Sequence, residues 1–171
     1  HALAVNACHD IVEDGKIGPS ISATVTYPYS NKPEDVWAAK LNDNFKTNYL
    51  LDMHYNGEYP AYYMKYLEKL NIVPSMPEED KLILKNAKMD FIAFNYYRTL
   101  CARHLEANDE NPVGTRVSEI DYDLYGYFKI EKNPNLKATE YGAQIDPVGM
   151  RIALNEYYNR YHLPLIITEN G

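Results

Sequence analysis

Only two cysteines, Cys8 and Cys101, occur among the 171 residues, and that number excludes the disulfide framework on which small secreted domains depend. Their spacing matches no zinc or dithiol motif, so both are expected as reduced thiols. Long apolar runs are missing too: none approaches the ~20 residues needed to span a bilayer, and the N-terminus lacks the basic-then-apolar order of a signal peptide. The expected setting is therefore cytoplasmic, with no membrane partner. Basic residues are the minority, 17 against 24 acidic, and the net charge of -7 has the wrong sign for gripping a phosphate backbone. Nucleic acid is not an expected partner. The five histidines, His1, His9, His54, His104 and His162, are dispersed, with no i, i+4 pair around a Glu, so no metal is expected. Gly15, Gly18 and Gly57 form no phosphate-cradling loop, and no cofactor is expected. Arg98, Arg103, Arg116 and Arg151 read as surface residues with carboxylate partners, though each could contact an anion.

What is present is a globular composition, 46% hydrophobic and 24% charged, enough for one ordinary domain with a core. Tyrosine is abundant, 17 residues against a single Trp. A tyrosine joins a flat apolar face to a hydroxyl, which suits a polyhydroxylated ligand and equally suits sheet-helix contacts in a core.

Hydrophobic spacing and punctuation divide the chain as follows. Residues 2–14 read as a helix stopped by Gly15 in a left-handed cap, and 17–27 as a Ser/Thr/Ile/Val strand closed by Pro28. Pro33-Glu34-Asp35 is a helix start, with proline in the first turn and acids at the positive end of the dipole; that helix is expected to run to about Leu51. Asn56-Gly57 marks a turn, 59–70 another helix, and Met76 to Asp80 a further helix start. Residues 90–97 are a nearly continuous apolar run, the form of a parallel strand covered on both faces. Between Arg98 and Glu140 periodicity disappears, which reads as a functional loop or irregular turns. Asp146 caps a helix with Pro147 at its first position and Val148, Ile152 and Tyr157 inward, ending near Tyr161; the strand Leu165-Ile166-Ile167 follows and runs into Thr168-Glu169-Asn170-Gly171. The alternation of strands and helices predicts an α/β fold with parallel strands and right-handed crossovers. Three strands make no complete parallel-sheet protein, so the expectation is an interior segment of a larger barrel. Open edges would then invite association into a homo-oligomer.

Glu169 is the leading chemical candidate: a carboxylate directly after a buried strand sits on rigid backbone at the carboxyl rim, where a nucleophile can be aimed. The alternative is a solvated residue before an Asn-Gly turn. Asn95 and Tyr97 hold the matching place at the end of the preceding strand, on the side opposite Tyr96, and could hydrogen-bond a neighbouring carboxylate or simply fill the top of a barrel.

The string Leu165 to Gly171, I-T-E-N-G at its heart, resembles the nucleophile signature of glycoside hydrolase family 1. Other landmarks occur in family order: His1-Ala2-Leu3-Ala4, Lys16-Ile17-Gly18, Asn56-Gly57-Glu58-Tyr59-Pro60, Asp90 to Tyr97 with Ala93 in place of the usual Gly, and Asp146 to Gly149. The resemblance covers the whole chain. It implies that residues 1–171 form a single segment of a (β/α)8 TIM barrel, about strands five to seven with their helices, and a retaining mechanism using two glutamates about 5 Å apart. By the same resemblance Glu169 is the nucleophile, Tyr97 the tyrosine that orients it, and Asn95 a substrate-binding residue. The family's acid/base motif, Asn-Glu-Pro, has no match in this chain and is expected upstream of His1. Tyr27-Pro28-Tyr29-Ser30 and Asp146 to Arg151 look most like the bacterial branch acting on 6-phospho-β-glucosides, whose phosphate-binding residues are expected beyond Gly171. The alternatives are a plain β-glucosidase or β-galactosidase and a noncatalytic carbohydrate-binding barrel.

Overall fold

The computed structural model describes residues 1–107, 109 and 127–171. They form two compact units, each considered by itself: the first contains 1–23, 47–96 and 154–171, the second 24–46 and 97–153.

The first unit is built on a three-stranded parallel sheet. Strands β1 (Ser20–Ser22), β3 (Ile92–Tyr96) and β6 (Leu165–Asn170) lie in the order β1-β3-β6. Around them are helices α1 (Ala2–Ile11), α3 (Tyr49–Asn56), α4 (Ala61–Leu70) and α5 (Glu78–Asn86), and the C-terminal part of α6 (Pro147–Tyr161). Val5, Leu51, Ile92 and Phe94 are fully enclosed, and Tyr157 meets the Phe94 ring edge-on at 5.5 Å. Several tyrosines thus serve the core. One buried carboxylate ties three helices: Asp52 on α3 accepts from Arg160 Nε at 2.8 Å, Arg160 Nη2 at 2.6 Å, Tyr161 Oη at 2.8 Å and Tyr62 Oη at 3.1 Å. Burial, then the Asp52 charge, pushes both tyrosine hydroxyls well above their ordinary pKa, so they remain donors.

At the amino end of the sheet Gly18 lies so close to β3 that a Cβ there would stand 2.1 Å from the Phe91 carbonyl oxygen. Beside it Asp90 accepts from Ile17 N, His9 Nε2 and Lys16 Nζ, joining the end of α1 to the starts of β1 and β3.

The second unit carries β2 (Thr26–Pro28), β4 (Leu100–His104) and β5 (Phe128–Ile130), in the order β2-β4-β5, under helix α2 (Pro33–Asp43). Small residues on the buried face of α2, Ala38 and Ala39, let it settle onto Ala102 and Phe128. Polar bonds fix both ends of this helix. Asp35 accepts from Ser30 Oγ and His104 N, and Asn42 donates to Thr26 Oγ1. Arg103 forks onto Asp109 at 2.8 and 2.9 Å and reaches Glu131 at 3.3 Å, the carboxylate pairing expected of it.

Several helix boundaries follow the sequence signals. Pro33 sits in the first turn of α2 with Glu34 and Asp35, Gly57 closes α3 at φ 73°, and Asp146 Oδ1 accepts from Val148 N and Gly149 N at the start of α6. Other expectations are corrected. The strand expected over 17–27 is two short strands in different sheets: Ala23, Thr24 and Val25 are buried like strand residues, but the chain changes partner there, from β3 to β4. Pro28 is the last residue of β2 and closes it, as expected, on an edge strand of its sheet. The helix expected to end near Leu51 continues to Asn56 through a π-turn, Asn44–Asn48, since no Pro or Gly interrupts it. The region 98–140 holds β4 and β5, which pair antiparallel, so the second sheet is mixed. Gly15 is not the left-handed residue after α1; Asp14 takes φ 55°. Val148 is exposed, unlike Tyr157. Arg116 and part of the 98–140 region lie outside the described residues. No helix among the described residues is long and apolar enough to cross a membrane.

Candidate active site

Parallel pairing brings the carboxyl ends of β1, β3 and β6 to one edge of the first unit's sheet. In register, Ser22 stands opposite Asn95, and Asn95 opposite Glu169. The two candidates read from different strands, 74 residues apart in sequence numbering, therefore occupy adjacent positions at one rim. Beyond that row Asn170 Nδ2 donates to Tyr96 O at 2.8 Å and Ala23 N to Asn95 O at 3.0 Å, so the ends of all three strands are bonded to one another.

The register between β3 and β6 slips by one residue at this point. Phe94 pairs with Ile167 and Asn95 with Glu169, leaving Thr168 as an extra residue in β6. Such a bulge re-aims side chains and recurs beside active sites. Thr168 Oγ1 donates to Asn95 Oδ1 at 2.6 Å, and Ser20 Oγ lies 3.3 Å from Thr168 Oγ1. Neighbouring strands are about 4.8 Å apart, so β1 and β6 are about 9–10 Å apart across β3. The side-chain contact between them, with the bond to Asn95, brings Ser20, Asn95 and Thr168 together on one face of the sheet.

Glu169 is exposed and Asn95 half-buried, while Tyr96 on the alternate face is buried. Tyr97 is the first residue of the later segment of the second unit and is exposed. Among the described residues no group of three or more His, Cys, Asp or Glu could hold a metal ion. Sequence reasoning passed over Ser20, Ser22 and Thr168. The signal available for them was the alternating Ser and Thr of the first strand and the Thr within I-T-E-N-G.

Residues 1–171, the whole chain, match the family model described as glycosyl hydrolase family 1. The chain belongs to glycosyl hydrolase family 1. It is 44% identical over 99% of its length to the aryl-phospho-beta-D-glucosidase BglH of Bacillus subtilis (strain 168), covering 34% of that protein. It is 38% identical, again over 99% of its length, to a 6-phospho-beta-glucosidase of Dickeya chrysanthemi, covering 34% of it. Among solved structures it resembles the psychrophilic beta-glucosidase BglU of Micrococcus antarcticus, with TM-score 0.80 and 27% identity over 100% of this chain and 37% of that one. A family 1 b-glucosidase from Thermotoga maritima gives TM-score 0.77 at 26% identity, over 100% and 34% of the two chains. The chain spans about a third of the length of the curated relatives it matches. Glu169 and Asn95 thus meet at a strand rim in a segment of family 1 sequence that is alike from end to end.

Proposed function

We propose that residues 1–171 are one segment, about strands five to seven with their helices, of a (β/α)8 barrel that hydrolyses 6-phospho-β-glucosides with retention of configuration. The observation that carries this reading is the register of Glu169 with Asn95 at the carboxyl ends of parallel strands in a family 1 chain. Its phosphorylated substrate is supported by the names of the relatives, aryl-phospho-beta-D-glucosidase and 6-phospho-beta-glucosidase. In the proposed reaction the Glu169 carboxylate attacks the anomeric carbon and forms an ester as the bond to the leaving oxygen breaks. That oxygen takes its proton from a carboxylic acid outside this chain. Water, deprotonated by the same group, then cleaves the ester. Asn95 binds the sugar beside the nucleophile, and Tyr97 donates to the Glu169 carboxylate and keeps it aimed. No step calls for a cofactor. A sugar phosphate is a dianion that does not cross a bilayer unaided, so hydrolysis belongs in the cytoplasm, where the sugar is phosphorylated. A plain β-glucosidase is the second reading, favoured by the names of the solved structures it resembles.

A 2-deoxy-2-fluoro-β-glucoside 6-phosphate with a good leaving group tests the assignment in the full-length protein. The expected result is a covalent label on Glu169, found by peptide mass spectrometry and lost in Glu169→Gln. A label on another carboxylate overturns it. Comparing kcat/KM for p-nitrophenyl β-glucoside with that for its 6-phosphate separates the two readings. Equal values, or preference for the unphosphorylated sugar, favour the second.

A further inference from the structure

Resting on the reading of Glu169 as the reacting carboxylate, we propose that Thr168 is a positioning residue whose hydroxyl locks the Asn95 side chain with its N–H group turned toward the bound sugar. A hydroxyl carries a single proton, and that of Thr168 is committed to Asn95 Oδ1 at 2.6 Å. Ser20 Oγ, 3.3 Å from Thr168 Oγ1, must then act as donor in that contact. Protons therefore run one way along the chain, from Ser20 to Thr168 to Asn95. Asn95 keeps two N–H donors on Nδ2, and among the described residues neither has an acceptor. Turning the amide over would press an N–H donor against the Thr168 oxygen at 2.6 Å, shorter than an N–H···O bond takes, and send the threonine proton to the longer 3.3 Å contact with Ser20. Thr168 thus selects one of two orientations that are nearly identical in shape and opposite in hydrogen bonding.

The bulge makes this arrangement possible. In a regular strand the residue opposite Asn95 could be Thr168 or Glu169, but not both. With Thr168 as the extra residue, Glu169 holds the register position and the threonine hydroxyl still reaches the same asparagine. A sugar lying over Glu169 would meet a fixed N–H donor for one of its hydroxyl oxygens. Without Thr168 the amide is free to turn, and the donor is present only part of the time.

The full-length protein tests this with steady-state kinetics on p-nitrophenyl β-glucoside 6-phosphate. Thr168→Val, equal in shape and lacking the hydroxyl, is expected to lower kcat/KM about tenfold, equivalent to about 1.4 kcal/mol. Thr168→Ser, which restores the hydroxyl, is expected within about twofold of wild type. In an Asn95→Ala background the Thr168→Val change is expected to cost nothing further, because the group it positions is gone. A general disturbance of the bulge would cost the same in both backgrounds. The proposal is overturned if Thr168→Val matches wild type, if Thr168→Ser is as slow as Thr168→Val, or if the tenfold loss persists without Asn95. Should Thr168→Val not fold, Ser20→Ala replaces it, with an expected two- to threefold loss, and an unchanged rate overturns the proposal. Binding of a neutral glucose-shaped inhibitor, measured across the same four variants, reads the Thr168–Asn95 coupling independently of chemistry. A fluorosugar label found elsewhere than Glu169 therefore removes the nucleophile reading, while the coupling stands or falls by this binding cycle.

Discussion

Replacing Asp90 by Asn removes one charge where three segments of the first unit meet, and its cost should depend on pH in a predictable way. The carboxylate accepts from Ile17 N at 2.9 Å, His9 Nε2 at 2.9 Å and Lys16 Nζ at 3.2 Å, while Asp90 N donates back to Ile17 O at 2.8 Å. The Ile17 amide, followed by the His9 ring and then Lys16, holds the carboxyl below its ordinary 3.8, at about 2. A group whose pKa is depressed on folding stabilises the fold wherever it is ionised in both states, and that stability is lost as pH falls through the folded value. The gap between 3.8 and about 2, at about 1.36 kcal/mol per unit, sets a ceiling of about 2.5 kcal/mol at neutral pH. Partial exposure of the side chain, 19%, lowers the expectation to about 1–2 kcal/mol. Asparagine keeps the shape and one acceptor for the Ile17 amide, so most of the difference is the charge. Urea unfolding followed by far-UV circular dichroism measures it; Trp37 is 61% exposed and unsuited as a fluorescent reporter. With a slope of about 2 kcal/mol per molar urea, the variant's midpoint should fall by about 0.5–1 M at pH 7 and by about half of that at pH 3. A midpoint gap of equal size at both pH values would refute the reasoning, because a loss that ignores protonation cannot come from the charge.

Arg160→Met strands the buried Asp52 carboxylate with only tyrosine hydroxyls as donors, and should cost about 2–4 kcal/mol by urea unfolding; an unchanged midpoint would mean the pair is idle. Gly18→Ala places a methyl group 2.1 Å from the carbonyl oxygen of Phe91, the residue leading into β3, so the entry to β1 must part from the entry to β3. Faster amide exchange at Ala93 N, which donates to Pro19 O, together with a stability loss of about 2–3 kcal/mol, is expected. The purified 171-residue chain should not turn over an aryl β-glycoside, since it contains no Asn-Glu-Pro and loses acid assistance worth about 10²–10⁴-fold; a rate near that of intact family 1 enzymes would contradict this.

Much of the fold was legible wherever the determining chemistry is local. Pro33 with Glu34 and Asp35, Asn56 with Gly57, and Asp146 with Pro147 each act within one helical turn, and each helix boundary lies where they put it. The division of 17–27 into two strands is not local. Ser20–Ser22 and Thr26–Pro28 differ in their partners, which lie about 70 residues later in the chain. Likewise β4 shows no alternation, because Leu100, Cys101 and Ala102 are all buried, Ala102 against α2. Burial on both faces erases the period-two signal that would have revealed the strand.

The candidate site divides along the same line. Asn95 and Glu169 could be found from strand ends and from I-T-E-N-G, since each is a property of one segment. The bulge could not, because register belongs to two strands at once. Counted from the Phe94–Ile167 pair, a regular ladder sets Asn95 against Thr168 and moves Glu169 on to Tyr96. The single extra residue restores Glu169 to Asn95 and leaves a hydroxyl beside them. Period-two reasoning therefore holds up to Ile167 and fails at the next residue, where the strand departs from regular geometry and the candidate carboxylate follows.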